Sequence, residues 1–227
     1  MKILLLIFLF LTPLMTQAQS QMPDSIMSKM LISLEDEKWG EVIGLFHQFA
    51  NLDPENAEVF YWVRASDKPA LSDTLLVSLA DIYFHKGKLD KSLGLYKEYC
   101  KNTSSFSVSE LLVLAQRLTD IGEVRLTQEL YRQVIAQDPN NLNANLFLGN
   151  YIYLRAEKER RRLLFNYERK RKPTHMEYVE YRNKLKDLYT FSYCEAYIYL
   201  TKAYAKIKSV EIRRMLAHID KLKDEVL

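Results

Sequence analysis

The sequence predicts an all-α fold, a right-handed α-solenoid in which helix hairpins stack one on the next. Three observations lead there. Leu79, Ala80, Tyr83, Gly87, Ser92 and Tyr96 return 35 residues on as Leu114, Ala115, Leu118, Gly122, Thr127 and Tyr131, and the first three return again 34 residues later as Leu148, Gly149 and Ile152. A period of that length holds one helix–turn–helix, which cannot bury its apolar face alone and must stack on its neighbours. Within a period the apolar residues fall at i, i+1, i+4 or i, i+4, i+7, the spacing of one helix face. Glycine and proline number six each among 227 residues, too few for the many turns of an all-β chain.

Taken in order, residues 1–18 stand apart from the fold. Lys2 precedes the apolar run Ile3 to Leu11, and Thr16-Gln17-Ala18 places small residues where a signal peptidase reads. The segment reads as a secretory signal peptide cleaved after Ala18. Its apolar run is far shorter than the roughly 20 residues needed to cross a bilayer. Residues 19–227 then form a single helical domain. The first repeat, about 24–56, is clear only in its second helix, with Trp39, Val42, Phe46 and Phe49 before Asp53-Pro54, and Glu37 stands where later repeats carry glycine. An extra segment, Glu55 to Leu71, contains Phe60-Tyr61-Trp62. It reads as a short helix or loop whose aromatics either seal a gap or form an exposed ligand site.

The second repeat spans 73–107. Leu79, Ala80 and Tyr83 share a face of its first helix, Gly87 supplies the left-handed turn, and Ser92, Tyr96 and Tyr99 face back from its second. The third repeat, 108–141, closes with Tyr131 to Pro139. The fourth, 142–206, has no turn at the expected place: good helix formers run on from Arg155 to Arg171, and Pro173 stops them. A second long helix starts near Thr174 and rejoins the pattern at Tyr193 to Ala203, so residues 155–190 extend the repeat into an antiparallel helical hairpin. Residues 210–226 make an amphipathic capping helix with Ile212, Met215, Leu216, Ile219 and Leu222 inward.

These residues resemble the tetratricopeptide repeat (TPR), whose pattern places a large residue, Leu-small, an aromatic, Gly, a small residue, an aromatic and a closing Pro at these intervals. The chain is also similar to exported bacterial TPR-containing proteins of unknown role, through Pro54 to Trp62 and Leu148 to Tyr151 followed by a charged hairpin. The resemblance implies an exported protein with a concave groove, lined by the first helix of each repeat, that grips a protein or peptide. The chain reads as a non-enzymatic protein–protein interaction module, a monomer in the periplasm. Carried over, the lining is Thr74, Val77, Asp81, Phe84 and His85, then Ser109, Leu112, Gln116, Thr119 and Asp120, then Asn143, Leu146, Asn150 and Tyr153. The set lacks a Lys/Arg ring that would clamp a carboxylate, and suits a neutral or weakly basic peptide.

The residues offer little chemistry. His47, His85, His175 and His218 lie in different elements without zinc spacing, and no nucleophile elbow, Walker loop or dinucleotide fingerprint occurs. No cofactor or metal is expected. Cys100 and Cys194 fall two repeats apart, which does not favour a bridge. The one biased patch is Arg155, Lys158, Arg160, Arg161, Arg162, Arg169, Lys170, Arg171 and Lys172: nine cations against three Glu over residues 155–172, in a chain whose net charge is +3. It is either a solubilising face or a rod that docks on an anionic envelope component, an alternative role for the protein. An exported chain would rarely meet nucleic acid. Ten of the fifteen tyrosines lie from Tyr151 onward, and Tyr178, Tyr181, Tyr189, Tyr193 and Tyr197 read as a packed seam on the return helix.

Overall fold

The computed structural model describes residues 23–103 and 106–226, and among these every regular element is a helix. The predicted signal peptide lies outside the described residues. The chain divides into two compact units, with the boundary between Ser105 and Phe106.

In the first unit, α1 (helical over 23–35) is followed by α2 (Trp39–Leu52) through a turn at Glu37. Glu37 takes φ +56°, the left-handed conformation that Gly87 takes at +73° in the next hairpin. The turn is thus conserved in shape where the glycine is not, at a cost of about 1–2 kcal/mol. α2 buries Val42, Phe46, Phe49 and Ala50, one face at helical spacing. Asp53 ends it and starts α3 (Pro54–Phe60), its side chain accepting from the Asn56 amide at 3.1 Å, with Pro54 in the first helical position. A single π-helical turn, Tyr61–Ala65, completes the extra segment. Phe60 packs on Phe46 with ring centroids 6.1 Å apart, and Tyr61 is buried, whereas Trp62 is left 46% exposed.

α4 (Ser72–His85) and α5 (Leu89–Asn102) form the clearest hairpin of this unit. Ala80 and Ser92 are both buried, and the Ser92 hydroxyl donates to the Ala80 carbonyl at 2.9 Å, so small side chains set the approach of the two helices. Tyr83 ties the hairpin to α3: its hydroxyl donates to Glu58 at 2.7 Å, and Lys91 pairs with the same carboxylate at 2.9 Å.

The second unit opens with α6 (Val108–Ile121), started by a reciprocal capping box between Ser107 and Glu110 and ended by Gly122 at φ +89°. α7 (Val124–Gln137) buries Thr127, Leu130, Tyr131 and Val134. Tyr131 stacks near Phe147 of the next helix, centroids 4.6 Å apart. That helix, α8 (Leu142–Glu168), is 27 residues, about 40 Å, long. Its buried residues run from Ala144 to Ala156 and stop, so its last twelve residues project from the packed part. It ends at Glu168, short of the predicted Arg171, because a turn is needed before the next cap. α9 (His175–Leu188) returns along it, begun by a capping box between Thr174 and Glu177. A π-helical turn, Tyr189–Tyr193, leads into α10 (Cys194–Lys206), which packs on α8 where Gly149 meets Leu200. α11 (Val210–Val226) covers this end with Ile212, Ile219 and Leu222 buried.

Candidate functional site

The predicted lining falls on α4, α6 and α8. On α4, Thr74 and His85 are exposed, and Val77 and Phe84 are half-buried. Asp81 is already engaged, for the Tyr96 hydroxyl donates to its carboxylate at 2.6 Å. On α6, Ser109, Gln116, Thr119 and Asp120 are exposed and Leu112 is half-buried. The Thr119 hydroxyl donates to the Ala115 carbonyl of its own helix at 2.7 Å, and the Gln116 amide to Asp120 at 2.8 Å. On α8, Asn143 is exposed, while Leu146 and Asn150 are half-buried. Tyr153 faces α11 instead, its hydroxyl hydrogen-bonded to His218 Nδ1 at 2.9 Å.

The structure adds residues that the repeat register passed over. Val113 is 59% exposed and stands four residues from Ser109 and three from Gln116, on the same stripe of α6. Leu154, 60% exposed, stands four residues beyond Asn150 on α8. Each stripe therefore mixes amide or hydroxyl groups with an aliphatic side chain. Such a face offers donors and acceptors to a peptide backbone and apolar contact to its side chains. The Asn150 side-chain oxygen is itself buried with no hydrogen-bond partner.

At the base of the long hairpin, Glu157 gathers a polar cluster. It accepts from the Tyr193 hydroxyl, pairs with Arg160 at 3.2 Å and lies 3.5 Å from His218 Nδ1. Burial pushes the Tyr193 hydroxyl far above its ordinary pKa, and the Glu157 charge adds to this. Burial would raise Glu157 too, but the hydrogen bonds from Arg160 and Tyr193 outweigh it and hold the carboxyl below its usual range. His, Glu, Tyr and Arg could serve acid–base chemistry, yet here each is closed on another, which is the arrangement of a clasp between α8, the π-helical turn Tyr189–Tyr193 and α11. Among the described residues no group of three or more His, Cys, Asp or Glu could hold a metal ion.

Of the nine predicted cations, Arg160 and Arg162 pair with Glu157 and Glu159, and Lys170 pairs with Glu177 at 2.7 Å. Arg155, Lys158, Arg161, Arg169, Arg171 and Lys172 make no ion pair among the described residues. In the tyrosine seam, Tyr167 stacks on Tyr181 at 4.6 Å and lies 6.3 Å from the half-exposed Tyr178 across the hairpin, and Tyr189 and Tyr193 are buried. A cleft of about 410 Å³ opens between α8 and α9 beside that stack, and one of about 560 Å³ lies beside α7, with Arg132, Arg155 and Lys158 on its wall.

No family profile matches the chain, and no curated protein does. Among solved structures, that of a proposed protein-binding protein from Bacteroides ovatus superposes with a TM-score of 0.67, is 29% identical, and covers 90% of this chain and 99% of its own. A tetratricopeptide repeat protein from Parabacteroides merdae is 16% identical with a TM-score of 0.36, over 90% of this chain and 74% of its own. MamA MSR-1 C2 is 12% identical with a TM-score of 0.35, over 90% and 98%.

The chain has a TPR-like, all-α fold. Its hairpins carry the small–small contact, the left-handed turn and the inter-helix tyrosine at the positions the repeat requires. The TPR-like register also locates the departures from a plain array. The π-helical turn after α3 inserts where the extra segment was expected, and the hairpin extension inserts between the two helices of the fourth repeat.

Proposed function

We propose that this TPR-like protein is an exported, non-enzymatic binding module that holds a protein or peptide along the first-helix faces of its repeats. The observation that carries the reading is the stripe Ser109, Val113, Gln116 and Asp120 on α6. It is exposed, mixed in polarity, and not needed to hold the hairpin together. Likeness to the Bacteroides ovatus protein over nearly the whole of both chains supports a protein–protein interaction role. The leader-like residues 1–18 support export to the periplasm, with the mature chain starting at Gln19.

Asp81, Thr119 and Tyr153 have their polar groups satisfied inside the fold, so the partner's contacts fall on the remaining positions, with Val113 and Leu154 added. A photo-crosslinking residue at Val113 or Asn143 is expected to capture the same envelope protein, while one at Glu129, on the exposed side of α7, does not. Changing Ser109→Arg, Val113→Asp and Gln116→Arg together should lower recovery of that protein at least about tenfold, the equivalent of ~1.4 kcal/mol. Undiminished recovery at unchanged helicity refutes the reading. Mass measurement of the mature chain from the envelope fraction tests the start at Gln19.

A further inference from the structure

We propose that the tip of the α8–α9 hairpin is a docking surface for an anionic lipid bilayer. The loop between the helices carries Arg169, Lys170, Arg171 and Lys172 in succession. Lys170 is held by Glu177, and Arg169 lies over the Phe165 ring, 5.7 Å from its centroid. Arg171 and Lys172 have no ion pair among the described residues, so two charges at the end of the hairpin are exposed to solvent.

Apolar side chains surround those charges where a soluble hairpin would carry polar ones. Phe165 is 59% exposed three residues before α8 ends, and Met176 is 80% exposed at the second residue of α9. Val179, one turn further, is exposed as well. All lie within about a turn of the loop, so the cations and the apolar groups share one end of the rod. No residue of α9 is buried, and the packed part of α8 ends at Ala156. The core therefore gains nothing from these exposed groups.

Charge complementarity selects the occupant. A bilayer bearing anionic headgroups attracts clustered Lys and Arg, and accepts Phe, Met and Val into the boundary between headgroup and acyl chain. The long stems of Arg171 and Lys172 let their charged ends stay at headgroup level while the apolar groups go deeper. An acidic protein surface would match the charges alone and leave Met176 in water. The inference concerns the hairpin tip and stands apart from partner binding on α6.

The test is co-sedimentation of the full chain with vesicles of phosphatidylcholine alone or containing a minority of phosphatidylglycerol. Wild type should bind the anionic vesicles and not the neutral ones. Binding should fall steeply between about 0.1 M and about 1 M salt, as the screening length drops from about 10 Å to about 3 Å. Arg171→Ala with Lys172→Ala should weaken it roughly 25-fold, at roughly fivefold per cation. Phe165→Ser with Met176→Ser should weaken it about tenfold at constant charge. All variants share one N terminus, so any affinity of the leader for lipid is common to them, and circular dichroism checks that helicity is kept. Equal binding to neutral vesicles overturns the proposal, as does binding that survives loss of the cations. So does binding that ignores the apolar pair, for the surface would then be a general anion contact.

Discussion

Gly149 is a point of close approach between α8 and α10. A Cβ there would stand 2.9 Å from Cγ and Cδ2 of Leu200 and 3.1 Å from its backbone nitrogen. The side chain could turn aside, but the nitrogen belongs to a helix, so relief requires α10 to move. Overpacking of this kind costs about 1–3 kcal/mol. Replacing a mid-helix glycine with alanine returns up to about 1 kcal/mol. The overlap wins, and Gly149→Ala is expected to lower stability. Gly94, in the middle of α5, supplies the control: a Cβ there meets nothing within 4 Å. Gly94→Ala should therefore raise stability by up to about 1 kcal/mol through propensity alone. Urea denaturation of both variants checks the signs, which must be opposite. Two losses would mean that both glycines serve something other than clearance.

At the scale of the element, α9 is the least supported helix, since it buries none of its residues. Its start rests on Thr174, whose hydroxyl accepts from the Glu177 amide at 3.3 Å, and on Glu177, which accepts from the Thr174 amide at 2.8 Å. Thr174→Ala should cost about 1 kcal/mol and speed hydrogen exchange in the first turn of α9. The same cap is sensitive to acid. The hydrogen bond from Lys170, then those from Thr174, hold the Glu177 carboxyl down to about 2, against 4.5 when unperturbed. A depressed carboxyl adds stability above its unfolded pKa and loses it as the folded form is protonated. Protection of the α9 amides should accordingly be full above pH 4.5 and fade towards about pH 2. Lys170→Ala should shift that loss to higher pH. The start of α9 was legible in the sequence, because Pro173-Thr174 with Glu177 is a local signal. The end of α8 was not: nothing between Glu168 and Pro173 breaks a helix, and the stop comes from the need to reverse direction before the Thr174 cap. Neither π-helical turn was legible. Tyr61 with Ala65, and Tyr189 with Tyr193, are the buried first and last residues of these turns, and no local sequence signal marks them. The lining was legible as helix faces, since a repeat register fixes which residues share a stripe. It could not disclose that Tyr96 takes Asp81 or that His218 takes Tyr153, for those partners are 15 and 65 residues away. Val113 and Leu154 were missed for the converse reason, as apolar residues whose outward position depends on the phase of the helix.

At the scale of the molecule, the chain carries two cores. In the first unit Phe46 and Phe60 pack together, and Tyr83 joins α4 to α3 through Glu58. In the second, Tyr131 packs on Phe147, Gly149 on Leu200, and Tyr193 closes on Glu157. Each of these contacts joins elements of one unit. In a repeat protein, stability is close to a sum of repeat and neighbour terms, so a fragment that keeps its own interfaces keeps most of its own stability. Both pieces exceed the ~60 residues at which domains begin to hold alone. Residues 23–103 and residues 106–226, produced separately, should therefore each be helical and each melt in one cooperative transition. Scanning calorimetry beside circular dichroism checks this. A piece that is helical but melts without cooperativity would show that its core is completed by the other. The division then makes function separable. The α6 stripe and the hairpin tip both belong to 106–226, so this piece alone should retain the Val113 crosslink and bind anionic vesicles. The two activities should part under salt: vesicle binding is electrostatic and screened, whereas the α6 stripe of Ser, Val and Gln carries a single charge, that of Asp120, which already accepts from Gln116, so its hold on a partner should change little. If both faded together as salt rose, one surface would be doing both, and the hairpin, with its unpaired cations, would be the one.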